Sequence, residues 1–151
     1  MSSLLTPELL AQVGKSGPRQ TELVTRRDIR KYAVATGQRQ RRFLDGDEAP
    51  PLYYITLFWP VVELGELTRD GVFVDRLVPD LSLHKAMAGG IKVEYFRAIR
   101  PGDVLVASRT FTNLYEKQGA SGLLIFYEVV MQVTTEQGEP VLTETATRIM
   151  R

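Results

Sequence analysis

His84 is the only histidine in the chain and there is no cysteine, so few residues can carry proton or metal chemistry. Without cysteine there is no disulfide, no thiolate nucleophile and no cysteine-based zinc site. A metal site would rest on His84 and carboxylates alone. A Ser–His triad or a histidine acid–base step must use His84 or a residue of another chain. The second feature is charge. From Arg26 to Arg42 seven basic residues (Arg26, Arg27, Arg30, Lys31, Arg39, Arg41, Arg42) meet one acid, Asp28. From Phe43 to Lys85 eight acids follow, against Arg69, Arg76 and Lys85. The basic run reads either as a solvated helix face followed by an exposed loop, or as an anion site for a phosphate-bearing ligand or an acidic carrier protein.

At 151 residues the chain is expected to form one domain, 1–151, with 1–15 as an N-terminal extension holding a short helix. A chain of this length buries roughly 70% of its unfolded surface and needs no staples. Its 19 basic and 18 acidic residues leave a net charge of +1, which argues against a nucleic-acid partner held by the global field. The longest apolar run, Leu52 to Leu64, is interrupted by Thr56, Pro60 and Glu63, so no membrane span is expected. Met1 to Val13 has neither a basic start nor a long apolar core. A cytoplasmic protein is the expectation.

The elements that must position these residues change character near residue 70. Thr6-Pro7 starts a short helix through Val13, with Thr as N-cap and Pro at the first helical position. Gln20 to Val24 reads as extended. Thr25 with Asp28 three residues on resembles a capping box, and Ile29, Tyr32, Ala33 and Thr36 continue a helical stripe that Gly37 ends. Gln38 to Pro51 reads as loop. Tyr53 to Trp59 is apolar all round, as suits a helix enclosed by the fold, and Pro60 must end or kink it. After residue 90 the pattern is β. Ile91, Val93 and Tyr95 alternate with Lys92, Glu94 and Phe96. Arg100-Pro101-Gly102-Asp103 has Pro and Gly at the centre of a type II turn. Val104 to Asn113, Leu123 to Val133 and Val141 to Met150 complete the strands, and Leu123 to Val133 has an unbroken apolar odd face. One apolar helix followed by long meander strands implies an α+β fold, a curved antiparallel sheet wrapped around that helix.

The stretch GGIKVEYFRAIRPGDVLV from Gly89 to Val106, followed by FTNLYEKQGASGLLIFYEVVMQVTTEQGEPV, resembles the N-terminal dehydratase domain of the MaoC-like hydratases, which have the hot-dog fold. The strand with its Arg-Pro-Gly-Asp turn and the Tyr-Glu-Lys hairpin carry the likeness most specifically, Ala49-Pro50-Pro51 supports it, and it spans Ser16 to Arg151. The resemblance implies acyl thioesters of coenzyme A or acyl carrier protein as ligands, with water added or removed across C2 and C3, and no further cofactor. Competent relatives have Gly-Asp-x-Asn-Pro-x-His after the helix that here ends near Thr36. This chain has Gly37-Gln38-Arg39-Gln40, so an amide stands where the proton-carrying aspartate belongs and no histidine follows. The His-Gly that many relatives carry before the long strand is here Ala88-Gly89. The implied role is a dyad-lacking subunit that shapes the acyl pocket, in a homodimer or in a heterodimer with a catalytic hot-dog chain.

Each candidate residue keeps a plainer alternative. His84 is either a catalytic residue of a self-sufficient hydratase or an ordinary loop residue. Asp45 and Asp47, flanking Gly46, would suit a thioesterase that activates water with one carboxylate, or a solvated turn. Leu52 and Tyr53 offer the first free amides of the apolar helix, for an oxyanion or for ordinary capping. Gln38, Tyr53, Tyr54, Ala88, Gly89 and Gly90 are the residues expected to line an acyl pocket, with core packing as the alternative for the tyrosines. Arg39, Arg41 and Arg42, with Arg97 and Arg100 at the turn, are phosphate candidates, or else they face the acidic 45 to 48 loop across a subunit contact.

Overall fold

A computed structural model describes residues 3–69 and 71–151. Near the N-terminus lies α1 (Pro7–Leu10), where the Thr6 hydroxyl accepts from the Leu9 amide. Then come β1 (Gln20–Leu23) and α2 (Arg26–Ala35), whose cap is Thr25 accepting from the Asp28 amide at 3.1 Å. Two short helices follow, α3 (Arg41–Leu44) and α4 (Tyr54–Phe58), and then a 3₁₀ turn, Leu64–Glu66. The strands are β2 (Ala86–Tyr95), β3 (Val104–Gly119), β4 (Gly122–Thr135) and β5 (Pro140–Met150). They form one antiparallel sheet in the order β1-β3-β4-β5-β2.

The alternation read between Leu123 and Val133 places Ile125, Val129, Met131 and Val133 in the core. Two clusters share that face. In the first, Ile29 from α2 and Tyr54 and Phe58 from α4 pack on Leu105, Met131, Val133 and Leu142. In the second, Phe111, Leu114, Ile125 and Val129 lie under Leu77 and Leu81, with the partly buried Leu4, Leu5 and Leu9 against them. The apolar helix is therefore only part of the filling. Trp59 takes an extended backbone, as a residue before proline does, so α4 stops after five residues. The N-terminal segment and the 77–83 stretch cover the sheet beyond it.

Four further boundaries differ from the sequence reading, the first being α1, which ends at Leu10 rather than at Val13. The 38–51 segment is not all loop, because Phe43 is buried and the Arg41–Asp45 ion pair spans one turn of α3. Strand β2 starts at Ala86 rather than near Ile91, and Gly89 falls inside it at a register shift. A Cβ on Gly89 would stand 2.9 Å from Thr147 Cγ2, so the absence of a side chain lets β2 and β5 close up there. Strand β3 continues past Asn113 to Gly119, where Gly119 pairs with Gly122 to form a tight hairpin. Turn 100–103 is as expected: Gly102 has φ 91°, and Asp103 Oδ2 accepts from the Arg100 amide at 2.8 Å.

Candidate functional site at the start of the central helix

Tyr53 and Tyr54, both buried, bring α4 onto the sheet. The Tyr54 hydroxyl donates to the Glu144 carboxylate of β5, a residue 90 positions away. Burial, and then that hydrogen bond and the Glu144 charge, push the Tyr54 phenol far above its ordinary range, so it is a fixed donor rather than an acid. Leu52 has φ 67°, the one positive φ of a non-glycine among the described residues. Its amide donates to the Tyr95 hydroxyl at 3.2 Å, so the end of β2 holds the entry to α4. The Tyr53 amide donates to the Pro50 carbonyl at 3.1 Å. Both amides read as oxyanion donors therefore have acceptors of their own. The Tyr53 hydroxyl does not: it is buried without a partner among the described residues, beside the Tyr32 ring at a centroid distance of 5.6 Å. Burial, and then the Asp28 charge, push its phenol up to about 12.

The segment after α2 carries the remaining amide and the acidic candidates. The Gln38 backbone amide closes the helix by donating to the Ala33 carbonyl at 2.9 Å, and its side-chain amide is 3.5 Å from the Thr36 hydroxyl. Asp45 is ion-paired to Arg41, Asp47 to Arg26, and Glu48 lies 3.6 Å from Arg42. The acidic loop thus meets Arg26, Arg41 and Arg42 within one chain. Arg39 has no acidic partner among the described residues. Along the outer face of α2, Arg26, Arg27, Arg30, Lys31, Val34 and Leu44 line an open groove of about 730 Å³. Gly46 makes the turn between the two aspartates: its φ is 76°, and a Cβ there would stand 2.8 Å from both Arg26 Cγ and Arg30 Cγ and 2.9 Å from the Arg26 carbonyl. Gly46→Ala is expected to lower stability by about 1–2 kcal/mol through backbone strain alone. A thermal melt showing no loss would contradict the strain expected at this φ.

The remaining candidates lie apart. Arg97 donates to Asp103 through Nη1 at 2.9 Å and Nη2 at 3.0 Å, and its Nε lies 3.3 Å from Glu139, so it locks the β2–β3 turn. Arg100 lies exposed on the same turn. The Ala49 amide donates to the Ile99 carbonyl at 2.8 Å, which brings the 45–49 loop against that turn. His84 is exposed beside an open groove of about 1020 Å³ that Ser82, Lys85, Ser121 and Arg151 also line. Ala88 pairs with Arg148 and Gly90 with Thr147, toward the opposite end of β2 from Tyr95. Gln38 lies at the end of α2, Tyr53 and Tyr54 lie at the start of α4, and Ala88 to Gly90 lie along the open strand. Among the described residues no three His, Cys, Asp or Glu side chains are grouped to hold a metal ion, and no helix is long and apolar enough to cross a membrane.

Sequence reasoning does not reach Glu144, Tyr95 or Tyr32. For Glu144 a signal was present: it shares a strand face with Leu142 and Ala146, which turns a carboxylate inward. Chemically the helix start offers a strained backbone, a buried phenol without an acceptor and one carboxylate held by another phenol. An aspartate–histidine pair is not among these groups.

A five-stranded antiparallel sheet closed over a short apolar helix, with the candidate site at the helix start, defines an α+β chain of the hot-dog class. The family model described as the FAS1-like dehydratase domain region matches residues 11–144, and the chain belongs to this MaoC-like hot-dog dehydratase family. Among solved structures it is similar to the ChsH1-ChsH2 complex from Mycobacterium tuberculosis, at 19% identity over 95% of this chain and 89% of that one, TM-score 0.72. It is also similar to the C-terminally truncated HadBC (3R-hydroxyacyl-ACP dehydratase) complex from the same organism, at 19% identity over 91% and 96%, TM-score 0.64. R-hydratase PhaJ1 from Pseudomonas aeruginosa matches at 17% identity over 91% and 80%, TM-score 0.59. At these identities the likeness is one of fold. Against proteins of curated function the sequence finds no match.

Proposed function

We propose that the chain is the acyl-thioester-binding, dyad-lacking subunit of an enoyl/3-hydroxyacyl hydratase-dehydratase. It takes its ligand as a coenzyme A or acyl carrier protein thioester and works beside a second hot-dog chain. Adding water at C3 of an enoyl thioester needs a base and an acid at the β-carbon and donors for the enolate oxygen. The observation that carries the reading is Gln38: the residue after Gly37, in the position where competent relatives carry the aspartate, is an amide that neither takes nor gives a proton. The carboxylates weighed for the site are occupied, Asp45 and Asp47 by arginines, Asp28 by Arg27 and Glu144 by Tyr54. His84 lies on an exposed groove with none of these residues around it.

A place for the second chain is supported by β2, an edge strand of ten residues with Ile91, Tyr95 and the following Phe96 all at least 44% exposed. Long apolar edges of this kind are normally covered. Two of the similar structures are complexes, HadBC and ChsH1-ChsH2. The purified chain is expected to bind crotonyl-CoA in calorimetry while leaving the enoyl absorbance unchanged and releasing no free thiol. Substantial hydration by the chain alone would refute the dyad-lacking role.

A further inference from the structure

Three arginines of the described chain are half-buried: Arg97, Arg109 and Arg148. Arg97 holds Asp103, and Arg109 holds Asp75 at 2.5 Å. Arg148 meets no carboxylate among the described residues, and its one hydrogen bond goes to the neighbouring Thr147 carbonyl at 3.2 Å. A guanidinium partly withdrawn from water without an acid is unusual, because desolvation is offset only by a counter-charge or by several hydrogen bonds.

The sheet register shows where this charge lies. Glu144 faces α4, because it accepts from Tyr54, and Leu142, Ala146 and Arg148 share its face at period two. Across the sheet Arg148 pairs with Tyr127 on β4 and with Ala88 on β2. Tyr127 packs on Phe111 with ring centroids 6.2 Å apart, at the edge of the second core cluster. Between Glu144 and Arg148 the floor is Ala146 with Ile91 beside it, the latter 50% exposed. Four residue steps along β5 separate the two charges, about 13 Å along the sheet. The floor therefore has the helix start at one end, an apolar middle and an unpaired guanidinium beside a phenol at the other.

We infer that Arg148 and Tyr127 form a carboxylate-recognising site, and that the acyl group this chain takes carries an acid at its distal end. A carboxylate there accepts from the guanidinium fork and from the phenol, which supplies the counter-charge that the chain itself lacks. The acyl part of the inference rests on the acyl-thioester reading above, whereas the anion site stands on the residues alone.

The test compares octanoyl-CoA with its ω-carboxy counterpart, suberyl-CoA, by calorimetry on the full chain, with free suberate in a thermal-shift arm. Suberyl-CoA is expected to bind about 10- to 100-fold more tightly, the ratio that one charge-assisted hydrogen bond supports. In Arg148→Gln the preference should collapse to within about threefold, a residue of the ordinary scatter of such contacts, and in Arg148→Lys it should survive in part. Equal affinities for the two thioesters in the native chain overturn the inference while leaving the thioester reading standing. If neither thioester binds but free suberate raises the melting temperature of the native chain and not of Arg148→Gln, the anion site stands and the thioester reading falls. A preference that survives Arg148→Gln, or a dimer that this substitution dissociates, overturns the inference, the latter because Arg148 would then be paired across the subunit contact.

Discussion

Mixed with a hot-dog chain that carries both the aspartate and the histidine of the Gly-Asp-x-Asn-Pro-x-His segment, the protein is expected to support enoyl-thioester hydration about 10²- to 10⁴-fold faster than it does alone. That range is what a positioned acid and base contribute to such a step. The expectation depends on β2 as well as on Gln38. The Phe96 amide donates to the Val141 carbonyl, so by antiparallel alternation the amides of Glu94 and Lys92 point toward β5 and those of Tyr95, Val93 and Ile91 point outward. Ile91→Pro removes one outward donor and leaves the inner ladder intact, a position where proline is tolerated on an edge. It is expected to abolish the gain on mixing and the heteromeric peak in a sizing column while shifting the melting temperature little. A gain that persists in Ile91→Pro would place the partner elsewhere. A gain that persists when the partner's aspartate and histidine are both removed would mean that this chain supplies its own acid and base.

The fold was legible in the sequence where structure is local. The odd face of β4, the Pro-Gly turn at 101–102, the Thr25 cap and the stop at Pro60 all follow from period, turn chemistry and proline geometry, and each is found in place. What was not legible depends on contacts between distant residues. Nothing near Phe43 announces α3, whose four residues are held by burial of one side chain and an ion pair rather than by propensity. The 77–83 stretch has no helical or strand period to announce it, yet Leu77 and Leu81 pack over the second core cluster, beyond the reach of α4. In the site, the mismatch at Gln38 was visible only against the motif of the family that the sequence resembles. The Tyr54–Glu144 and Leu52–Tyr95 bonds were not, since each joins the helix start to a strand that the chain forms much later. The arginine run shows the same limit: composition identified the charge, but only the fold shows that Arg26, Arg41 and Arg42 are met by the acids that follow them.

Asp103→Ala is expected to be the most destabilising of the single substitutions considered, by about 2–3 kcal/mol, because it leaves the half-buried Arg97 guanidinium without its bidentate partner. For a domain of this size that is a fall in melting temperature of about 5–10 °C. The effect should reach the site as well as the stability. The turn that Asp103 closes is tied to the start of α2, with the Val24 amide donating to the Asp103 carbonyl at 2.8 Å and the Gly102 amide to the Val24 carbonyl at 2.9 Å. Helix α2 in turn carries Tyr32 against Tyr53. The pH dependence fixes the sign. Burial alone would raise the Asp103 carboxyl, but the Arg97 hydrogen bonds, the Arg100 amide and the two positive charges outweigh it and hold the group below its ordinary value of 3.8. Between the folded and unfolded values the unfolded chain binds the extra proton, so the contribution is complete above the ordinary value and is lost as pH falls through the lower, folded one. Denaturant titrations of the native chain and Asp103→Asn should therefore differ most at pH values well above 3.8 and converge as the acid limb is descended. Curves that stay parallel into acid would mean that the charge on Asp103 does no work in the fold, and that neutral hydrogen bonds hold the turn.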